Sequence, residues 1–219
     1  MSTRDAERTR ALLAWLEGLG FGERLEPASG DASFRRYFRV YRRGESFIAM
    51  DAPPGKEDLR PFLETARAFG GIGLHVPEVH EADVEQGFAL LEDLGTRTYL
   101  MALSRQTAER LYGDALGALA ALQALGPTGD LPPYDEGLLL EEMALFRDWY
   151  LKRHLGLRGG EALEEAFAFL ARSALEQPKV CVHRDFHSRN LMVVPRNNPG
   201  ILDFQDAVAG PVTYDLVSL

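Results

Sequence analysis

The run His183-Arg184-Asp185-Phe186-His187-Ser188-Arg189-Asn190-Leu191-Met192, followed by Ile201-Leu202-Asp203-Phe204-Gln205-Asp206, is the densest set of chemically capable side chains in this 219-residue sequence. Its flanks are apolar and short. Val180 to Val182, Leu191 to Val194 and Ile201-Leu202 read as strands, and Arg196-Asn197-Asn198-Pro199-Gly200 reads as a turn. The polar residues therefore sit on loops at strand ends, and a hairpin through Asn198-Pro199-Gly200 folds Asp203 back toward Asn190. Phosphoryl transfer needs a carboxylate to orient the attacking hydroxyl and take its proton, and oxygen ligands for the Mg²⁺ that neutralises the phosphates. Asp185, Asn190 and Asp203 are the residue types for those three functions.

Outward from this run, the stripes Ala108, Leu111, Tyr112, Ala115, Leu119 and Leu122 predict a helix that ends at the loop Gly126 to Pro133, and two more helices are predicted over 137–155 and 161–175. The first ninety or so residues have a different rhythm. Leu12, Trp15, Leu16 and Leu19 form one apolar stripe on an opening helix, read as a docking element. After a loop at Pro27-Ala28-Ser29-Gly30-Asp31, Ser33 to Tyr41 and Ser46 to Met50 form a predicted β-hairpin around Arg42-Arg43-Gly44-Glu45. A helix over Leu59 to Phe69 stops at Gly70-Gly71, and Val76 to Ala82 and Phe88 to Leu91 are two short strands about Gln86-Gly87. The expected fold is α+β and two-lobed. A small antiparallel sheet with a helix makes an N-terminal lobe (1–91), residues 92–95 are the hinge, and a mostly helical C-terminal lobe (96–219) carries the hairpin with its polar loop.

Composition narrows the function. With 46% apolar and 26% charged residues the chain is ordinary globular material, and its net charge of −9 disfavours a protein that binds by neutralising a phosphate backbone. No nucleic-acid partner is expected. The single cysteine, Cys181, allows no internal disulfide, and no Cys/His cluster has zinc-like spacing. No signal core or membrane-length apolar run is present, so a cytoplasmic protein without a membrane partner is expected.

The pattern His183-x-Asp185-x-His187-x-x-Asn190 with Asp203-Phe204-x-Asp206 resembles the aminoglycoside phosphotransferase branch of the protein-kinase-like fold. The resemblance implies that Asp185 is the catalytic base, that Asn190 and Asp203 hold Mg²⁺, and that His183 and His187 brace the loop. It also implies that the Asp of Tyr214-Asp215-Leu216 supports that loop. Further strings carry a closer likeness: Gly30-Asp31-Ala32-Ser33-Phe34-Arg35-Arg36-Tyr37-Phe38-Arg39, Ala49-Met50-Asp51-Ala52-Pro53-Pro54 and Leu91-Glu92-Asp93-Leu94-Gly95. With the two loops they resemble the bacterial anomeric kinases of N-acetylmuramate and N-acetylglucosamine. That likeness implies ATP- and Mg²⁺-dependent phosphorylation of a sugar's anomeric hydroxyl in peptidoglycan recycling, with a small-molecule sugar as partner.

Gly30-Asp31-Ala32-Ser33 is read as a loop over the nucleotide phosphates, with a plain polar turn as the alternative. Strand alternation sends Arg35 and Arg39 to one face and Arg36 to the other, so Arg35 is a phosphate candidate. Leu91, Glu92 and Asp93 are read as the strip that meets the adenine edge, with a polar interlobe linker as the alternative. The sequence departs from the kinase pattern at Met50, which stands where kinases place a strand lysine that holds the phosphates and pairs with a helix Glu. Lys56, beyond a Pro-Pro-Gly break, is no simple replacement, and Glu64 is the candidate for the helix Glu, with a plain exposed helix carboxylate as the equal alternative. Either an arginine of the preceding strand reaches the phosphates or the site leans on Mg²⁺ and the loop. The sequence stops at Val217-Ser218-Leu219, inside an apparent apolar helix where the family continues with further helices, so a truncated C-terminal lobe is expected. Two alternatives stay open: a kinase of another hydroxyl substrate (aminoglycoside, choline-like or homoserine), and a nucleotide-binding pseudokinase.

Overall fold

The computed structural model describes residues 3–30 and 34–219. In chain order the elements are α1 (Thr3–Gly18), β1 (Glu26–Gly30), β2 (Arg36–Arg42), β3 (Glu45–Asp51), α2 (Arg60–Gly71), β4 (Val79–Asp83), β5 (Phe88–Glu92), α3 (Tyr99–Ala102) and α4 (Ala108–Leu125). Then follow α5 (Glu136–Leu145), a π-helical turn (Phe146–His154), α6 (Glu161–Leu175), β6 (Lys179–Val182), β7 (Leu191–Met192), β8 (Gly200–Ile201), β9 (Val208–Pro211) and α7 (Tyr214–Ser218). The chain forms two compact units, Met1–Ala115 with Ser188–Gln205 and Leu116–His187 with Asp206–Leu219.

In the first unit β1 to β5 make one antiparallel sheet in the order β1-β2-β3-β5-β4. The β2–β3 turn is the two-residue loop Arg43-Gly44, with φ +53° and +87°, and this left-handed pair matches the twist of the strands it joins. Alternation then sorts the side chains. Val40, Phe47, Ala49, Phe88 and Leu90 close over Leu12 and Leu16 of α1, so the opening helix does dock on the sheet. Tyr37, Arg39, Ile48, Met50 and Leu91 fall on the opposite face by the strand register. Helix α2 buries Phe62, Thr65, Ala66 and Phe69.

The hairpin β7–β8 is tied to this unit through backbone bonds, from Val193 N–H to the Arg97 carbonyl (2.8 Å) and from Ile201 N–H to the His75 carbonyl (2.7 Å). Gly87 is needed where it stands, because a Cβ there would lie 1.9 Å from the Ala52 carbonyl oxygen. The expected loop at Pro27–Gly30 is instead β1. Proline is admissible because β1 is an edge strand, and the register slips between Pro27 and Ser29.

In the second unit β6 pairs antiparallel with β9, a partner the sequence did not announce. Tyr134, Val182 and Val208 form its packed cluster, with Leu138, Leu139, Val180 and Tyr214 against it. Asp135 caps α5 by accepting from the Leu138 N–H (2.9 Å). The helix expected over 137–155 is present but changes pitch, the last part being π-helical. No helix among the described residues is long and apolar enough to cross a membrane.

Candidate active site

The first unit holds a cavity of about 380 Å³. Ala28, Tyr37, Arg39 and Ile48 of the sheet line one side, and Met192 and Leu202 of the hairpin line another. Leu94, Met192 and Leu202 of this lining pack together with Val194. The strip Leu91-Glu92-Asp93-Leu94-Gly95 forms a wall, and Asn190, Asp203 and Phe204 a polar end. Most of the lining is apolar with a few placed polar groups, the composition of a small-molecule site.

The polar end is held in place by its neighbours. Asp203 has φ +64°, a left-handed conformation that is uncommon for a residue other than glycine. Phe204, next to it, is fully buried, 5.0 Å from the Phe62 ring and 5.9 Å from the Phe69 ring of α2. The Leu202 N–H donates to the Asn190 carbonyl (2.9 Å), which fastens the two loops to each other. The Asn190 amide donates to Asp203 Oδ2 (3.2 Å) and the Gln205 amide to Asp203 Oδ1 (2.7 Å). The sequence-predicted pair Asn190 and Asp203 is thus brought together. Gln205 is a third polar neighbour whose only sequence signal was its place inside the Asp-Phe-x-Asp run.

This donor set fits Mg²⁺. One carboxylate and an amide oxygen are hard ligands, and Mg²⁺ usually takes one or two protein carboxylates and completes its shell with water and phosphate oxygens. Among the described residues no group of three or more His, Cys, Asp or Glu is arranged to hold a metal by protein ligands alone.

The wall strip is itself braced. Asp93 accepts from Arg39 through both oxygens, one bond measuring 2.9 Å, and from the Gly95 N–H at 2.9 Å. Burial raises the Asp93 carboxyl, but the Arg39 and Gly95 hydrogen bonds outweigh it and hold it below the ordinary carboxylate value. Glu92 pairs with His75 Nε2 (3.1 Å). Arg35 does not line the cavity, and its guanidinium lies 3.1 Å from Glu57. Gly30 ends β1, whereas Asp31, Ala32 and Ser33 lie outside the described residues. Met50 is fully buried, and Glu64 is exposed on α2, so neither supplies the lysine–glutamate pair.

The second unit carries the other loop. Asp215, buried at the start of α7, accepts from the backbone N–H groups of His183 (2.6 Å) and Arg184 (3.0 Å). Burial pushes the Asp215 carboxyl up to about 6; the two backbone donors oppose this and the Asp185 charge adds to it. Arg184 has φ +78°, so the chain turns sharply just before Asp185. His183 is fully buried; its Nδ1 accepts from the Asp185 N–H (3.3 Å) and its ring meets Phe186 edge-on. The His187 N–H donates to the Asp185 carbonyl (3.0 Å), and its Nε2 is 4.0 Å from Asp185 Oδ1, an ion-pair distance beyond hydrogen-bond range.

The Arg184 guanidinium donates to Glu142 of α5 (2.6 Å), which also accepts from the Tyr134 hydroxyl and from Tyr214 (3.3 Å). Sequence reading missed Glu142. It lies forty-two positions upstream of Arg184 in an otherwise plain helix, where no spacing rule singles it out.

The chain is similar to known proteins along most of its length. The profile of the phosphotransferase enzyme family matches residues 24–219. An N-acetylmuramate/N-acetylglucosamine kinase of Pseudomonas aeruginosa is 49% identical over 231 residues, covering 98% of this chain and 68% of that protein. One of Pseudomonas putida is 49% identical over 199 residues, covering 89% of this chain and 58% of that protein. The chain therefore spans only part of the length of these relatives. An ADP-bound aminoglycoside phosphotransferase superposes with a TM-score of 0.67 at 20% identity, covering 97% of this chain and 74% of that one. The fold anticipated from the two loops is the fold observed, and by its matched length the chain belongs to the phosphotransferase enzyme family.

Proposed function

We propose that this chain is an ATP-dependent small-molecule kinase that phosphorylates the anomeric hydroxyl of N-acetylmuramate or N-acetylglucosamine. The observation that carries the kinase reading is the cavity of about 380 Å³ that ends at the hydrogen-bonded Asn190 and Asp203. The sugar rests on the two relatives of 49% identity named for that activity. The same reading includes a cytoplasmic setting and a role in peptidoglycan recycling.

In this reading the adenine lies in the apolar part of the cavity against Ile48, Met192 and Leu202, with its edge toward the backbone of Leu91, Glu92 and Asp93. Asn190 and Asp203 hold Mg²⁺, which supplies charge neutralisation to the phosphates when bound. Asp185 orients the hydroxyl and accepts its proton. An anomeric hydroxyl is more acidic than an ordinary alcohol, so Asp185 acts mainly by position. His183 and Asp215 keep the Asp185 backbone in place, and His187 braces it from the other side.

The test is ATP turnover with Mg²⁺ and each sugar, beside its open-chain alditol and an aminoglycoside. Turnover with the sugars and none with the alditols is expected. Equal turnover with an alditol would move the chemistry off the anomeric carbon and end this reading.

A further inference from the structure

The kinase reading leaves the phosphates without the cation that kinases usually supply from the third sheet strand. At that place Met50 is fully buried and has no charge. The arginines nearby are nearly all spoken for. Arg39 is held by both oxygens of Asp93, Arg35 is paired with Glu57, and Arg8 and Arg36 both point at Asp51. A guanidinium already neutralised by a buried carboxylate has little attraction left for an anion. The cavity is, moreover, lined by three carboxylate residues, Glu92, Asp93 and Asp203, against two arginines, Arg39 and Arg189. By formal charge the lining offers a polyphosphate no net attraction.

Arg189 is the exception among these. It lines the same cavity, directly precedes Asn190, is exposed, and forms no ion pair among the described residues. Its neighbours are the polar end at Asn190 and Asp203, where phosphate oxygens must lie if those two residues hold the metal. A free guanidinium there presents a planar fork of donors that matches a phosphate.

We infer that Arg189 is the nucleotide-phosphate ligand of this protein, taking from the loop before Asn190 the part that a strand lysine plays elsewhere. The inference rests on the kinase reading and deepens it. It resolves the choice left by Met50: the compensating cation comes from the catalytic loop and not from the preceding strand, whose arginines are engaged. It also ties phosphate binding to metal binding, since adjacent residues of one loop perform the two tasks.

The experiment is calorimetric titration of the full chain with ATP, ADP and adenosine, for the wild type, Arg189→Ala and Arg189→Lys, with the ATP KM and sugar KM measured alongside. Arg189 is exposed, so folding should survive both changes, and circular dichroism checks this. A charge-assisted contact of this kind makes a loss of about tenfold to a hundredfold in ATP and ADP affinity the expected result for Arg189→Ala. Adenosine affinity should stay unchanged and Arg189→Lys should recover part of the loss. Unchanged ATP affinity in Arg189→Ala would overturn the assignment. So would an unchanged ATP KM with a raised sugar KM, which would place Arg189 on the acceptor instead. Failure of the wild type to bind ATP at all would sink the kinase reading itself, and is a separate outcome.

Discussion

Asp203 concentrates several demands on one residue: a left-handed backbone, two amide donors on its carboxylate and a buried aromatic neighbour. On the kinase reading, replacement by Ala removes a carboxylate ligand of the metal, and circular dichroism checks that the left-handed turn survives without the Asp side chain. Asp203→Ala should therefore abolish the gain in ATP affinity on adding Mg²⁺ while leaving adenosine binding intact, and an unchanged Mg²⁺ titration would remove its metal role. Asp185→Asn should leave nucleotide affinity near wild type but lower kcat by about a hundredfold or more, since an amide neither holds the hydroxyl as a charged carboxylate does nor takes its proton.

Asp215 gives a pH signature. Its ordinary value of 3.8 rises to about 6 in the folded chain, mainly through burial. The folded chain thus keeps a proton that the unfolded chain has given up near pH 4. The stability this group contributes is full below about pH 4 and is lost as the pH climbs through about 6. Asp215→Asn does not titrate, so in urea melts the advantage of the wild type over the variant should be largest at pH 4 and shrink by pH 7.

At the scale of elements, α1 is fastened to the sheet twice. Leu12 and Leu16 are completely buried against it, and burying each is worth about 1.5–3 kcal/mol. On the same face Asp51, fully buried, accepts from Arg8 (3.1 Å) and Arg36 (3.0 Å) through their Nε atoms. Asp51→Ala removes the carboxylate from both guanidiniums and leaves Arg36, among the described residues, only the Thr9 hydroxyl (3.2 Å) as acceptor. A loss of about 3 kcal/mol is expected, at the lower end for a broken buried pair because both arginines keep some solvent contact. A midpoint shift in denaturant measures it.

The loop before Asp185 has a comparable fastening from α5. Glu142 gathers Arg184 and two tyrosine hydroxyls, so Glu142→Ala leaves the guanidinium without its carboxylate and the two hydroxyls with only each other. A lower melting temperature with a fall in kcat larger than the change in ATP affinity is the expected pattern. Neither fastening follows from the periodicity that revealed the helices, because each joins residues forty-two or forty-three positions apart.

On the scale of the molecule, the cavity with Asn190 and Asp203 at its end belongs to the unit formed by Met1–Ala115 and Ser188–Gln205. Nucleotide bound there with Mg²⁺ at about a hundred times its Kd should stabilise the fold by roughly 2.7 kcal/mol. In hydrogen exchange the added protection should concentrate at residues 90–95 and 189–204, and protection spread evenly over α5 and α6 would place the nucleotide elsewhere.

Local patterns in the chain carry the alternation of the sheet strands, the stripe of α1, the helix periods, and the two loops whose residue types and spacing announce phosphoryl transfer. These are local facts: a period of two or 3.6 and a turn at Asn198-Pro199-Gly200 can be read within a dozen residues, and the split of Arg39 from Arg36 follows from the pleat alone, whereas Arg35 lies just outside β2 and the pleat does not place it. The tertiary structure decided what local rules cannot reach. It turned the Pro27–Gly30 loop into an edge strand because β2 offered it a partner. It paired β6 with β9 across more than twenty intervening residues. It settled which arginines are spent, since whether a guanidinium is free depends on a carboxylate brought from far along the chain. Charge compensation is a property of neighbours in space, and for Arg39, Arg184 and Arg36 those neighbours are Asp93, Glu142 and Asp51.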